Sequence, residues 1–151
     1  MEPFQGATFS CLQDEDLDAV AATLGDDIGQ PLVIVDGSNA VHAVAVTGRD
    51  HANARGPGAR ARLLEIVEAA LPGRAVVVVF DDAREGTANS FASIDVEYAL
   101  NADEWIVDRV SDASRPDSVT VITSDRELTR RVVELGARAE RPRAALEAGR
   151  A

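Results

Sequence analysis

The sequence predicts an α/β fold in which a central, mainly parallel sheet is covered by helices on both faces. Three short runs of branched apolar residues predict buried strands: Leu32 to Val35, Ala75 to Phe80 and Val119 to Ile122. The first two hold no polar residue and the third only Thr120, so apolar residues fall on both faces of each strand, as a parallel sheet between two helical layers requires. Between the runs, apolar residues recur every three or four positions, the spacing of a helix with one buried face.

In chain order, Asp14, Glu15, Asp16 and Asp18 precede or interleave Leu17, Val20, Ala21 and Leu24, and Gly25 follows. This predicts one amphipathic helix with acids in its favourable first turn, within an N-terminal extension over 1–30. Such a helix packs on the domain or binds a protein partner. Gly48 to Arg62 holds glycine, proline and five Arg or His residues, and predicts a mobile loop leading into the first main helix. That helix presents Leu63, Ile66, Val67, Ala70 and Leu71 on one face and stops at Pro72-Gly73. Ser93 to Tyr98 alternates Ile94, Val96 and Tyr98 with Asp95 and Glu97, the pattern of an edge strand with one wet face. A helix after Asn101 places Ile106, Val107 and Val110 together, and a last helix runs from Asp125 to about Leu135, ending at Gly136. The main domain is expected over 31–142, with 143–151 an arginine- and alanine-rich tail.

The chain has 151 residues, 46% hydrophobic and 27% charged, which suits one domain with a core of its own. A single cysteine, Cys11, excludes an internal disulfide. The longest apolar run is too short to span a bilayer and the first ten residues lack a secretory pattern, so a cytoplasmic protein away from membranes is expected. All 15 basic residues are arginine, against 26 acids, for a net charge of −11. That balance argues against coating nucleic acid by bulk charge but allows a local arginine track beside an acidic centre. The absence of lysine excludes a phosphate-binding P-loop and Schiff-base catalysis.

Each predicted strand ends on an acid: Asp36, Asp81 and Asp125. In an open parallel sheet the ligand crevice lies outside the carboxyl ends of the strands, so the three are expected on one rim. Asp103 shares the inward helical face of Ile106, Val107 and Val110 and sits in the first turn, which hangs it over the same crevice. Glu104 stands three residues after Asn101, and Glu127 three after Ser124, the spacing of a capping pair, which leaves Asp125 to face the crevice. Asp108 falls on the solvated face. Crowded carboxylates must take up protons or share a cation, and oxygen-only ligands suit Mg²⁺ or Mn²⁺. Such a centre favours metal-assisted phosphoryl chemistry.

Other acidic α/β chemistries fit poorly. An aspartyl-phosphate phosphatase wants a second Asp where this chain has Ser38, and, like a receiver domain, it wants a lysine. No dinucleotide fingerprint follows the first strand, and the lone Cys and two His residues make no nucleophilic triad. His42 is expected on a helix surface or packed, with reach to the rim as the other reading; His51 is a polar loop residue, and Trp105 and Tyr98 are packing residues.

Val35-Asp36-Gly37-Ser38-Asn39, Val79-Phe80-Asp81, Asn101 to Ile106 and Thr123-Ser124-Asp125 stand in the order found in the NYN branch of PIN-like nucleases. The chain resembles the YacP-like bacterial members over roughly Pro31 to Pro142. The resemblance implies a Rossmann-like, three-layer PIN fold and metal-dependent endonucleolytic cleavage of RNA. It implies Asp36, Asp81, Asp103 and Asp125 as the Mg²⁺ or Mn²⁺ site, and Asn39 as the residue that positions the first-strand loop or a metal-bound water. Ser124 matches the family's small hydroxyl residue before the last acid. Ser38 replaces a common aromatic, Asn101 a frequent Thr, and Asp82 is an added acid. Substrate phosphates are expected on Arg49, Arg55, Arg60 and Arg62 around the loop and on Arg126 after the last acid, with Arg130 and Arg131 further along that helix. The acidic remainder suits RNA presented by a ribosome or a protein complex. Two other readings are a non-catalytic NYN-like module that binds RNA or protein, and a toxin-type nuclease held by an antitoxin.

Overall fold

The computed structural model describes residues 31–45, 57–83, 86–87 and 93–147. The helix predicted within 1–30, together with Arg49 and Arg55, lies outside the described residues.

Strand β1 (Leu32–Asp36) leads into a short helix α1 (Gly37–Ala40) that continues as a π-helical turn, Val41–Ala45. Helix α2 (Pro57–Ala70) precedes β2 (Ala75–Asp81), a two-residue β3 (Gly86–Thr87) and β4 (Ile94–Ala99). Helix α3 (Ala102–Ser111), β5 (Val119–Ile122), α4 (Arg126–Glu134) and β6 (Arg138–Glu140) follow, with a final π-helical turn, Arg143–Glu147. The sheet order is β3-β4-β2-β1-β5-β6, parallel throughout except for β3, which pairs antiparallel with β4.

The unbroken apolar strands fold as their composition dictates. Successive side chains point to opposite faces, so Val33, Val35, Val76, Val78 and Phe80 join α2 residues Leu63, Ile66 and Val67 in one core. Ile34, Val77, Val79 and Val121 join Ile106 and Val110 of α3 and Leu128 and Val132 of α4 in the other. A three-layer α/β fold results, as the sequence predicts.

Three local expectations change. The Ile94–Ala99 strand is not at the sheet edge, because Gly86–Thr87 pairs along its outer side. Helix α2 begins at Pro57, its fixed φ suited to a first helical position, so Arg60 and Arg62 belong to the helix and not to the preceding loop. Beyond Gly136, whose φ of 104° ends α4, the chain adds a sixth strand and then buries Leu146 completely in the first core.

The order of strands positions the site. From β1 the chain winds outward through β2 to β4, then crosses back to place β5 on the other side of β1. The reversal opens a crevice at the carboxyl end of β1, where such folds bind ligands.

Candidate active site

Asp36 ends β1, Asp81 ends β2, Asp125 follows β5 and Asp103 lies in the first turn of α3. All four line one open cleft of about 320 Å³, together with Ser38, Asn39, His42, Arg60, Phe80 and Asn101. The backbone reaches this arrangement through Gly37, where a Cβ would lie 2.7 Å from the Phe80 ring and 2.8 Å from the Val79 carbonyl oxygen. Only glycine lets the chain turn so tightly after Asp36.

Asp36 is the most buried acid of the group, 4% exposed. Thr123 donates its hydroxyl to Asp36 Oδ2 at 2.9 Å, and the same hydroxyl oxygen accepts the Asp125 backbone N–H at 3.1 Å. Burial pushes the Asp36 carboxyl up to about 7, helped by the charges of Asp103 and Asp81 and opposed by the Thr123 hydroxyl and the Asn39 backbone N–H. The Asp103 carboxyl is also raised, first by burial, then by Asp125 and Asp81, with Arg131 pulling the other way.

The other acids have structural partners as well. Asp81 Oδ1 accepts the Ala102 N–H at 2.9 Å, fixing the start of α3 to the end of β2, while its own N–H donates to Ser38 Oγ at 3.1 Å. Asp125 caps α4, its Oδ1 accepting from Glu127 N at 2.8 Å and Leu128 N at 3.1 Å. This corrects the expected cap at Ser124. The helix begins at Arg126, so Asp125 stands at the N-cap and its carboxylate takes the helix donors, and Glu127 pairs with Arg130 instead. Asn101 does cap α3, accepting from Glu104 N at 3.2 Å, and the Glu104 side chain binds Arg131 at 2.6 Å.

Ser124 is drawn to Asn39. Its N–H and its hydroxyl both donate to Asn39 Oδ1, at 2.9 and 2.7 Å. The Asn39 amide nitrogen then has no partner among the described residues and lies at the cleft.

Arg60 is held tightly. It donates to Asp82 Oδ2 at 2.8 Å and to the Asp81 carbonyl oxygen at 3.2 Å, and its guanidinium lies 4.9 Å from the Phe80 ring centre and 5.6 Å from that of Tyr98. Arg62 lies elsewhere, on a surface depression with Glu65, Ile66 and Ala69. Ser124 and Arg126 border a neighbouring pocket and not the acid cleft. Thr123 stands in the Thr123-Ser124-Asp125 motif, but nothing local in the sequence marks its bond to Asp36.

Among the described residues, no three His, Cys, Asp or Glu side chains are gathered into a ready-made metal cage. The donor set nonetheless suits a hard cation. Its ligands are carboxylate oxygens, and a raised Asp36 carboxyl beside other acids is where a positive charge relieves repulsion. Mg²⁺ in particular keeps several waters and takes only one or two protein carboxylates.

A family model described as the YacP-like NYN domain matches residues 33–147. Among solved structures, the chain is similar to Rae1 (YacP) from Bacillus subtilis, with 21% identity and a TM-score of 0.60, over 80% of this chain and 74% of that one. The W164L mutant of the same protein aligns with 22% identity and a TM-score of 0.59, covering 80% and 76% of the two chains. No curated protein matches the chain.

Proposed function

Since the chain belongs to the YacP-like NYN domain family, a nuclease family, we propose that it is a metal-dependent endoribonuclease that hydrolyses RNA phosphodiesters at the strand-end acids. The observation that carries this reading is the meeting of Asp36, Asp81, Asp103 and Asp125 on one cleft at the topological switch point.

Asp36 and Asp103 are the residues best suited to hold Mg²⁺ or Mn²⁺, with Asp125 and Asp81 completing an acidic wall. Bound there, the ion would supply Lewis acidity toward a phosphate oxygen and make water a stronger nucleophile. The chain's own residues do the rest. Thr123 ties Asp36 to the Asp125 backbone, so that the acids at the ends of β1 and β5 keep one spacing. Asn39, its carbonyl oxygen occupied by Ser124, offers its amide N–H groups to a phosphate oxygen at the cleft. Ser124 thereby acts by orienting Asn39. Arg60 braces the Asp81 carbonyl and contributes positive charge at the cleft wall. At neutral pH the Asp36 carboxyl, with its pKa near 7, is partly protonated and must release that proton to bind a cation.

The test is cleavage of a labelled single-stranded RNA with Mn²⁺, with Mg²⁺ and with EDTA. The wild-type protein is expected to cut internally only with a divalent ion, and Asp36→Asn and Asp125→Asn to lose cutting while remaining folded. Full activity in the double variant overturns the assignment. A protein that binds RNA yet never cuts it is instead the non-catalytic module.

A further inference from the structure

At the carboxyl ends of the paired strands β5 and β6, beside the start of α4, lies a second pocket. It has a volume of about 220 Å³ and is lined by Thr123, Ser124, Arg126, Thr129, Ala139, Glu140 and Arg141. Arg126 opens α4 and Arg141 follows β6, so two separate elements bring guanidinium groups to one concavity.

Arg126 and Arg141 share with Arg62, Arg74, Arg109, Arg138 and Arg143 the lack of a carboxylate partner among the described residues, and are set apart by lining one concavity together. Arg60, Arg115, Arg130 and Arg131 each pair with a carboxylate. Among the described residues, neither the Arg126 nor the Arg141 guanidinium has an ion-pair or hydrogen-bond partner, although the chain carries a net charge of −11. The helix terminus is not the source of the positive charge, since Asp125 already accepts from Glu127 N and Leu128 N. Two exposed cations left in a concavity of an acidic protein suit an anion.

The two pockets are adjacent. Ser124 borders this one and is bonded to Asn39 of the acid cleft, while Asp125, the next residue, lines that cleft. We propose that the Arg126–Arg141 pocket is a phosphate subsite that grips the backbone of single-stranded RNA beside the phosphate held in the acid cleft. This rests on the endoribonuclease reading and assigns it a strand path, across the carboxyl ends of β1, β5 and β6. Paired guanidinium groups grip phosphate without reading sequence, so the subsite adds affinity and register but no base preference.

The experiment measures binding of a labelled 12-nucleotide polyuridylate to the full chain in EDTA, across a salt series, with inorganic phosphate as a competitor. Arg126→Gln/Arg141→Gln is compared with Arg115→Gln/Arg138→Gln, which removes the same charge at the opposite end of β5 and β6. The first pair is expected to weaken binding about tenfold and to flatten the slope of log affinity against log salt by about 0.7, the value for one phosphate contact on a single strand. The second pair is expected to change the slope little. Equal effects from both pairs, or none from the first, overturn the subsite. Competition by inorganic phosphate as effective as that by RNA reduces it to a free-anion site and also overturns the strand path. Cleavage with Mn²⁺ is scored separately: wild-type protein that binds with the arginine-dependent slope but does not cut leaves the subsite standing and removes the nuclease reading, whereas cutting with no such slope does the reverse.

Discussion

Thr123 and Asp36, 87 positions apart in the chain, share a buried hydrogen bond of 2.9 Å that joins the ends of β5 and β1. Because the Thr123 hydroxyl also accepts the Asp125 N–H, one side chain fixes two acids of the cleft. A buried carboxyl that loses its donor carries an uncompensated desolvation cost. Thr123→Val is therefore expected to lower stability by about 1–3 kcal/mol in urea unfolding at pH 8. It also removes a contact that lowers the Asp36 pKa, so the Asp36 titration moves upward, whereas Thr123→Ser leaves it in place.

Stability should depend on pH through Asp36. Its carboxyl has an ordinary value of 3.8 and is raised to about 7 in the folded chain. Between these values the folded state holds a proton that the unfolded state has released, so this group's contribution is fully present below 3.8 and is lost as pH rises through 7. Asp103 shifts in the same direction. Urea midpoints of wild type minus Asp36→Asn, measured in EDTA from pH 5 to 8, should fall with pH; a flat or rising difference contradicts the account.

Gly37→Ala tests the turn that delivers Asp36 to the cleft. The new methyl meets ring and backbone atoms at 2.7–2.8 Å, and the Val79 carbonyl oxygen cannot move without disturbing β2. A loss of about 1–3 kcal/mol is expected, read as a lower thermal midpoint.

Arg60→Lys separates charge from shape. The ion pair with Asp82 is mostly shielded, its partners 14% and 16% exposed, and the guanidinium reaches a carboxylate, a carbonyl and two rings at once. Lysine keeps the charge but cannot reproduce that fork or its stacking. The variant is expected to lose about 1 kcal/mol or more and to weaken RNA binding less than Arg60→Ala.

The buried strands and their terminal acids were legible because each signal is local. Leu32 to Val35 and Ala75 to Phe80 are apolar without interruption, and parallel topology then carries Asp36 and Asp81 to one rim. The inward face of Asp103 follows from the helical period it shares with Ile106 and Val110. What sequence could not supply was pairing across the chain. Thr123 looks like any turn residue until β5 lies beside β1, and the Arg60–Asp82 pair needs α2 seated beside the end of β2. Arg138–Glu140 has too few residues and too little apolar character to announce a strand; it forms because β5 presents a free edge. At Asp125, two acceptors competed for the same helix donors, and local spacing alone did not decide between Ser124 and Asp125.

The most direct measurement is calorimetric titration of Mn²⁺ into the full chain at pH 7, repeated in buffers of different ionisation enthalpy. Wild-type protein should bind the ion with release of a fraction of a proton from the Asp36 carboxyl, and Asp36→Asn should abolish both the binding and the proton release. Mn²⁺ binding of equal strength in wild type, Asp36→Asn and Asp125→Asn, or no binding to any of them, contradicts a cation held by the strand-end acids.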